Sequence, residues 1–259
     1  MLKVRVIPTL LWKGVGLVKG IGFDSWRRVG PVLPAVKVYN TREVDELILV
    51  DITASPGQSV PDFESIAEFS NECFVPLTAG GGITHIDQIK KLLRSGADKI
   101  SINTAAYSNP DLVRDAARHF GAQCIVASID ARRHDDGRYE CFSLCGTLAM
   151  GKDPVQWARQ LQDLGAGEIL ITSVERDGSM QGYDLELIER VVEAVNVPVI
   201  ASGGAGSYEH MRQAVQEAGA SAVAAASIFH FTEQTPAEAK KYLAAAGIPV
   251  RATFGAASR

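Results

Sequence analysis

The chain has 259 residues, of which 46% are hydrophobic and 22% charged, and its formal net charge is −4. This length allows one large domain or two small ones, and the weak charge gives no support for a nucleic-acid or membrane partner. No apolar run reaches the roughly 18 residues of a membrane span, and no signal-peptide pattern opens the chain, so we expect a cytoplasmic protein.

Eight short runs of apolar and β-branched residues alternate with amphipathic stretches along the whole chain. This alternation predicts parallel strands joined by helices, and eight such units favour a single α/β domain, a (β/α)8 (TIM) barrel. The predicted strands span 4–11, 46–52, 75–80, 98–103, 123–130, 168–173, 197–202 and 221–226.

Apolar residues spaced at i, i+3 and i+4 predict helices between these strands, over 87–96, 110–120, 154–165 and 208–219 among others. Their expected boundaries are of two kinds, residues that precede a proline and cap a helix, and glycines that end one. The caps are Asn109, Asp153 and Thr235, and the glycines are Gly96, Gly165 and Gly219.

Two long connections follow the first and fifth strands. The glycine-rich stretch WKGVGLVKGIGF (12–23) predicts a mobile loop in which Lys19 reaches a phosphate; the alternative is a solvated surface lysine. The connection 131–152 contains DDGRYECFSL and predicts a small hairpin over the mouth of the barrel.

The sequence also repeats internally with an offset near 122 residues. DELILVDITAS (45–55) matches GEILITSVERDG (167–178), and VPLTAGGGI (75–83) matches VPVIASGGAG (197–206). SGADKISINTAA (95–106) matches AGASAVAAASIF (218–229) in the same way. We therefore expect two half-barrels, about 1–120 and 121–245, related by a pseudo-twofold axis.

Matched glycines follow the third strand of each half, and small polar residues follow the fourth. Glycine lets the backbone approach a ligand, and backbone N–H groups before a helix bind anions. Two matched copies predict two phosphate sites, whereas the alternative is that the glycines only make tight turns. The predicted phosphate-binding residues are Gly81, Gly82, Asn103, Thr104, Asp177, Gly178, Ser202, Gly203, Gly204, Ala226 and Ser227.

The strongest acid/base candidate is Asp130, because its strand is otherwise apolar and burial raises the pKa of a carboxyl group. In the repeat, residues 6–11 fall on 125–130, so the equivalent of Asp130 is Leu11, which cannot transfer a proton. Other polar residues expected at the mouth are Lys19, Asp51, Thr53, Thr172 and Ser173.

The four cysteines do not form a metal-binding pattern. Cys73 and Cys124 lie in apolar, strand-like runs, and the Cys141–Cys145 pair has no second pair or histidines nearby. We expect no metal site and no cofactor.

Together these motifs resemble the cyclase subunit of imidazole glycerol phosphate synthase, a TIM barrel of histidine biosynthesis. The resemblance covers nearly the whole chain and is carried by DELILVDITAS, GGGI, SIDARR, RDG, VIASGGAG and AASIFHF. It implies a glutaminase partner on the lower rim, ammonia passing through the barrel, and two catalytic aspartates that cyclise a bis-phosphorylated substrate. The family's second aspartate falls on Asp130, and its first falls on Leu11.

The resemblance also implies a gate for ammonia at the lower rim, formed by Arg5, Glu46, Lys99 and Glu168. Asp98 and Gln123 match positions that face the glutaminase. The alternative is that charges at strand starts merely solvate the bottom of the barrel.

A chain that keeps the ammonia route but lacks the second acid resembles a paralogous branch of the family. Proteins of that branch serve acetamidino modification of bacterial surface-polysaccharide sugars. The stretches IPTLLWKGVGLVKG and NECFVPL carry this likeness. It implies that ammonia passes on to an ATP-dependent amidotransferase. A histidine-pathway cyclase that tolerates Leu11 and a sugar-phosphate isomerase remain as alternatives.

Overall fold

The computed structural model describes residues 3–14 and 16–252, and the strands in this part form one continuous sheet. In chain order they are β1 (Arg5–Lys13), β2 (Gly16–Ile21), β3 (Asp24–Gly30), β4 (Leu47–Asp51), β5 (Leu77–Gly80), β6 (Lys99–Ile102), β7 (Ile125–Arg133), β8 (Tyr139–Ser143), β9 (Leu148–Ala149), β10 (Glu168–Ser173), β11 (Val199–Ser202) and β12 (Ala222–Ala225).

Eight of these strands close into a parallel barrel. Its order is β1, β4, β5, β6, β7, β10, β11 and β12, and β12 pairs with β1 to complete the ring. The predicted single (β/α)8 barrel is therefore confirmed. Predicted strand ends differ from the observed ones by up to three residues, and the strand over 168–173 has the predicted bounds.

Helices surround the barrel and bury one face each on the strands. In α3, for example, Ile89 and Leu92 are buried while Lys90 faces solvent. The helices are α1 (Val32–Thr41), α2 (Phe63–Asn71), α3 (Ile86–Arg94), α4 (Thr104–Ser108), α5 (Asp111–Phe120), α6 (Pro154–Asp163), α7 (Leu185–Ala194), α8 (Tyr208–Gln216), α9 (Ser227–Phe231) and α10 (Pro236–Ala245). Within the described ranges, no helix is long and apolar enough to cross a membrane.

Strand alternation divides the apolar residues between two cores. On β1, Val6 and Leu10 point outward into the large core beneath the helices, and Ile7 points into the barrel. The small core inside the barrel consists of Ile7, Ile48, Val126, Leu170, Ile200, Ala222 and Ala224.

The predicted helix boundaries hold in five of six positions. The Asp153 carboxylate accepts from the backbone N–H groups of Val155 and Gln156, and Thr235 caps α10. Gly96, Gly165 and Gly219 follow helices with positive φ. The predicted cap at Asn109 is wrong, because α5 begins at Asp111 with Pro110 at the N-cap position and no side-chain cap bond.

The predicted mobile loop over 12–23 is also wrong for the residues that the structure describes, 12–14 and 16–23. β1 continues to Lys13 and pairs antiparallel with β2, with Leu11 opposite Val18, and β2 pairs with β3. The reason is a tertiary contact: Leu17 is fully buried in the main core and anchors the glycine-rich segment. Val15 lies outside the described residues.

A comparable extension follows β7, on the opposite side of the barrel. β7 continues past the barrel to Arg133 and pairs antiparallel with β8, which pairs with β9. Thus the first and fifth barrel strands both extend above the mouth. The division into two half-barrels remains a prediction, and the matching registers of Leu11 with Val50 and Asp130 with Thr172 support it.

The cap of α6 gives a test of the local structure. Replacing Asp153 by alanine leaves two backbone N–H groups without their acceptor, so we expect a loss of about 1 kcal/mol in unfolding free energy. Urea denaturation measures this change. Asp163→Ala, at the exposed C-terminal end of the same helix, is the control and should not destabilise the fold. Equal losses in both variants would contradict the cap assignment.

Candidate functional site

An open pocket lies at the carboxyl ends of the barrel strands, where the active sites of TIM barrels occur. Most predicted site residues meet there, although they come from eight different strand ends. Those that line the pocket are Leu11, Lys19, Asp51, Gly81, Gly82, Asn103, Thr104, Asp130, Thr172, Asp177, Gly178, Ser202, Gly203, Gly204, Ala226 and Ser227.

Two predicted mouth residues, Thr53 and Ser173, are not among the lining residues. Thr53 donates its backbone N–H and its hydroxyl to Asp51 Oδ1, at 2.8 and 2.7 Å, and so supports the loop after β4. Ser173 follows the inward-facing Thr172 on β10, so strand alternation turns its side chain away from the barrel. Their expected role at the mouth remains a prediction.

Asp130 is a buried carboxyl group at the mouth. Burial, and then the charge of Asp177, raise the pKa of Asp130 to about 7, against the lowering effect of a hydrogen bond. That bond is donated by Asn103 Nδ2 to Asp130 Oδ2 at 2.6 Å. A carboxyl group with this pKa can give or take a proton near neutral pH, which is what general acid/base chemistry needs.

The carboxylate of Asp177 belongs to an ion pair with Lys19, and both side chains are nearly inaccessible to solvent. The backbone N–H of Gly22 also donates to the carbonyl of Asp177, at 2.8 Å. These contacts fasten the β2–β3 hairpin to the loop after β10. Lys19 thus lines the pocket from a strand, and its ammonium is already paired.

Leu11 lines the pocket on β1, opposite Asp130 on β7. The lining contains two other carboxylates. Asp51 accepts a hydrogen bond from Thr53, and Asp177 forms an ion pair with Lys19. Leu11 therefore gives β1 no carboxyl group at the mouth, and the neighbouring strand β4 contributes Asp51, which accepts hydrogen bonds from Thr53.

At two equivalent positions, Gly81 and Gly203, the fold itself leaves no room for a side chain. A Cβ on Gly81 would lie 2.2 Å from the carbonyl oxygen of Asp51, and one on Gly203 would lie 2.6 Å from that of Ser173. Both glycines have positive φ. Close packing against the preceding strand end therefore accounts for them whether or not phosphate binds, and phosphate binding at the mouth remains a prediction.

At the opposite, N-terminal end of the barrel the four residues predicted as a gate form a closed ring. Arg5 binds Glu46 at 2.7 Å and Glu168 at 3.0 Å, and Lys99 Nζ lies 2.9 Å from a carboxylate oxygen of each glutamate. Burial acts to lower the pKa of Arg5, but the two glutamates outweigh it and raise the pKa. The ring is electrically neutral and spans the barrel.

An apolar layer separates this ring from the pocket. Ile7, Val126 and Ile200 belong to it, lie within the first three residues of their strands, face inward and are fully buried. Above it, the pocket floor includes Ile48 and Leu170. Along the barrel axis the order is therefore charged ring, apolar layer, pocket floor and mouth.

The two residues predicted to face a glutaminase lie beside the ring at the N-terminal rim. Asp98 is exposed at the start of β6, and its carboxylate accepts from the backbone N–H of Leu77 at 2.8 Å. Gln123 is exposed in a 3-10 turn (Ala122–Cys124) just before β7. Both side chains are accessible from outside the barrel.

The barrel agrees with a comparison to known families. A family model described as histidine biosynthesis protein matches residues 5–235. The chain belongs to the histidine biosynthesis protein family. The match includes all eight barrel strands and ends just before α10.

Several lining residues of this family member were missed by the sequence analysis. They include Thr9 and Ser128, which lie two positions before Leu11 and Asp130. Strand alternation would have placed Thr9 and Ser128 on the same inward face as those two residues. Phe23, Trp26 and Cys145 also line the pocket and come from the two hairpins.

Cys145 is a protonated thiol in a strained turn. Leu144 and Cys145 both have positive φ, and Cys145 Sγ donates to the carbonyl of Ile52 at 3.1 Å. Burial, with the charges of Asp130 and Asp51, raises the pKa of the thiol to about 11. In the part of the chain that is described, no group of His, Cys, Asp and Glu is arranged to hold a metal ion.

The raised pKa of Asp130 predicts a pH-dependent stability. An unfolded chain loses this proton near pH 4 and the folded chain near pH 7, so wild-type stability falls as pH rises through that interval. Asp130→Asn should therefore be more stable than wild type at pH 8, by on the order of 3 kcal/mol, with little difference at pH 4. Urea titrations at both pH values measure this.

The matched control is Asp163→Asn, at an exposed position on α6. It should follow the wild type at both pH values. If Asp130→Asn and wild type have the same stability difference at pH 4 and pH 8, the folded carboxyl group titrates normally and the assignment is wrong.

Proposed function

We propose that this protein is the barrel subunit of a glutamine-dependent amidotransferase system. It receives ammonia from a glutaminase at its N-terminal rim and conducts it through the barrel to the mouth. The observation that carries the proposal is the combination of a complete charged ring at one end with Leu11 at the other. The ring supports entry of ammonia, while the mouth lacks the second acid that cyclisation uses.

The ring is suited to gating because its charges depend on one another. Removing one partner from a buried ion-pair network leaves a costly uncompensated charge, so the ring favours the closed state until another charged surface meets it. Exposed polar side chains beside it, Asp98 and Gln123, are available to a docked glutaminase. Family membership supports this kind of partner.

The apolar layer above the ring fits the passage of a small neutral molecule. Ammonium or any other ion would lose its hydration shell among Ile7, Val126 and Ile200 at a high cost in free energy. For uncharged NH3 the cost of losing hydration is smaller. We infer that NH3 is the species that crosses this layer when the side chains of the ring move apart.

At the mouth, the proposed fate of ammonia is transfer to a separate ATP-dependent amidotransferase that converts an acetamido group on a surface-polysaccharide sugar into an acetamidino group. Losing one member of an acid/base pair typically costs about 10²–10⁴-fold in rate, which disfavours cyclisation in the barrel itself. The glycine-lined strand ends are proposed to hold a phosphorylated small molecule, either an acceptor or an effector.

A genuine imidazole glycerol phosphate synthase cyclase is the second candidate, and one observation favours it. Asp177 lies close enough to Asp130 to raise its pKa, so Asp130 is not the only carboxyl group at the mouth. Against it, Lys19 occupies Asp177 in an ion pair. A sugar-phosphate isomerase, the third alternative, gives the charged ring no role.

The conduit predicts uncoupling when the ring is broken. Lys99→Met removes one of two cations from the ring, and we expect glutamine-dependent amidation of an acetamido sugar to fall at least about tenfold per glutamate formed. Amidation driven by ammonium chloride should stay near wild type. Mass spectrometry of both products in the complex with glutaminase and amidotransferase measures the ratio.

Lys90→Met, an exposed change on α3 with no ring contact, is the control and should leave the ratio unchanged. Unaltered coupling in Lys99→Met, in a complex that still assembles, would contradict passage through this ring.

The missing acid predicts little or no cyclase activity. Purified protein with ammonium chloride should not turn over the bis-phosphorylated histidine-pathway substrate, whereas Leu11→Asp should gain measurable turnover because it restores a carboxyl group opposite Asp130. Leu11→Asn has a similar size without the carboxyl group and is the control. Wild-type turnover at an enzyme-like rate that Asp130→Asn abolishes would instead establish the cyclase.

A further inference from the structure

Two hydroxyl side chains lie at the floor of the pocket on opposite strands of the barrel. Thr9 on β1 is in register with Ile48, and Ser128 on β7 is in register with Leu170. Both hydroxyl residues and both apolar neighbours line the pocket. The two hydroxyls therefore occupy equivalent positions across the barrel axis.

These hydroxyls stand at the boundary between the apolar layer and the mouth. The inward positions directly below them are Ile7 and Val126, and the inward positions directly above are Leu11 and Asp130. A molecule that has crossed the apolar layer meets Thr9 and Ser128 before it meets any carboxyl group of the mouth.

Thr9 has an unused hydrogen-bonding group. Its Oγ1 is buried and has no hydrogen-bond partner among the described residues. A buried hydroxyl without a partner costs folding free energy, and the proposed mechanism does not otherwise use it. A small ligand at this level would satisfy it.

We propose that Thr9 and Ser128 provide hydrogen-bonding positions for uncharged ammonia at the top of the conduit. The Thr9 hydroxyl, which has no other partner among the described residues, donates to the lone pair of NH3 or accepts from one of its N–H groups, and Ser128 offers the same contacts on the opposite strand. The surrounding floor is neutral, with Ile48, Leu170 and Ala224 nearby, so it offers no counter-charge to ammonium. This inference rests on the proposed function, since it supplies the last station of the ammonia path.

The test compares isosteric and conservative changes. Thr9→Val combined with Ser128→Ala removes both hydroxyls, and we expect the ratio of amidated product to glutamate to fall about 3- to 10-fold. Thr9→Ser combined with Ser128→Thr keeps both hydroxyls and should retain the wild-type ratio. In the variant without hydroxyls, the reaction driven by saturating ammonium chloride should fall less than the glutamine-driven reaction, because that ammonia reaches the mouth from solvent.

Thermal unfolding separates this role from a structural one. Thr9→Val removes an unpartnered hydroxyl without opening a cavity, so its melting temperature should equal or exceed that of wild type. A variant that is less coupled and no less stable supports the ammonia site. A lower melting temperature with unchanged coupling would assign Thr9 a structural role and overturn the proposal.

The Lys99→Met variant in the same assay distinguishes the two levels of inference. If neither Lys99→Met nor the hydroxyl double variant lowers coupling, the conduit itself is wrong. If Lys99→Met uncouples and the double variant does not, the conduit stands and the ammonia site is overturned. If the double variant slows the ammonium chloride reaction equally, the hydroxyls serve the acceptor, which also overturns it.

Discussion

The neutral ring of Arg5, Glu46, Lys99 and Glu168 is the constraint on which the arrangement of this barrel depends. Glu46 is almost completely buried and also accepts from Thr78 Oγ1 at 2.7 Å. A buried carboxylate persists only while it is paired, so the two glutamates require both cations at once. This mutual requirement closes the N-terminal end with charge while leaving everything above it free to be apolar. The barrel axis can then exclude ions and still let a small neutral molecule pass.

If the barrel is divided into the two predicted half-barrels, the charged groups of the ring and the mouth are distributed unequally between them. Glu46 and Glu168 occupy equivalent positions, whereas both cations of the ring come from the first half, as Arg5 and Lys99. At the mouth the asymmetry has the opposite sense, because the ionisable Asp130 lies in the second half and Leu11 in the first. Asn103 crosses from the first half to bind Asp130. The first half therefore lacks the counterpart of Asp130 at the mouth, and the second half contributes no cation to the ring.

The sequence was sufficient to predict the features that depend on hydrophobic periodicity and on repeated strand–helix units. Eight alternating units predicted the closed barrel, and the strand over 168–173 has its predicted bounds because Glu168 and Ser173 mark both ends by polarity. It failed where one long-range contact decides the conformation. Nothing local distinguishes a glycine-rich loop from the β2–β3 hairpin, whose geometry depends on burial of Leu17 and on the Lys19–Asp177 pair. The orientation of Ser173 follows from local sequence, since strand alternation after the inward-facing Thr172 turns its side chain outward.

The Lys19–Asp177 pair also limits what the mouth can do. It holds the carboxylate of Asp177 against an ammonium, while burial and the charge of Asp177 raise the pKa of Asp130 to about 7. It simultaneously fastens the hairpin that brings Phe23 and Trp26 to the lining. A ligand that drew Lys19 toward a phosphate would release Asp177, add a full negative charge near Asp130 and loosen the hairpin in one step. The buried ion pair therefore links the charge near Asp130 to the position of the hairpin over the mouth.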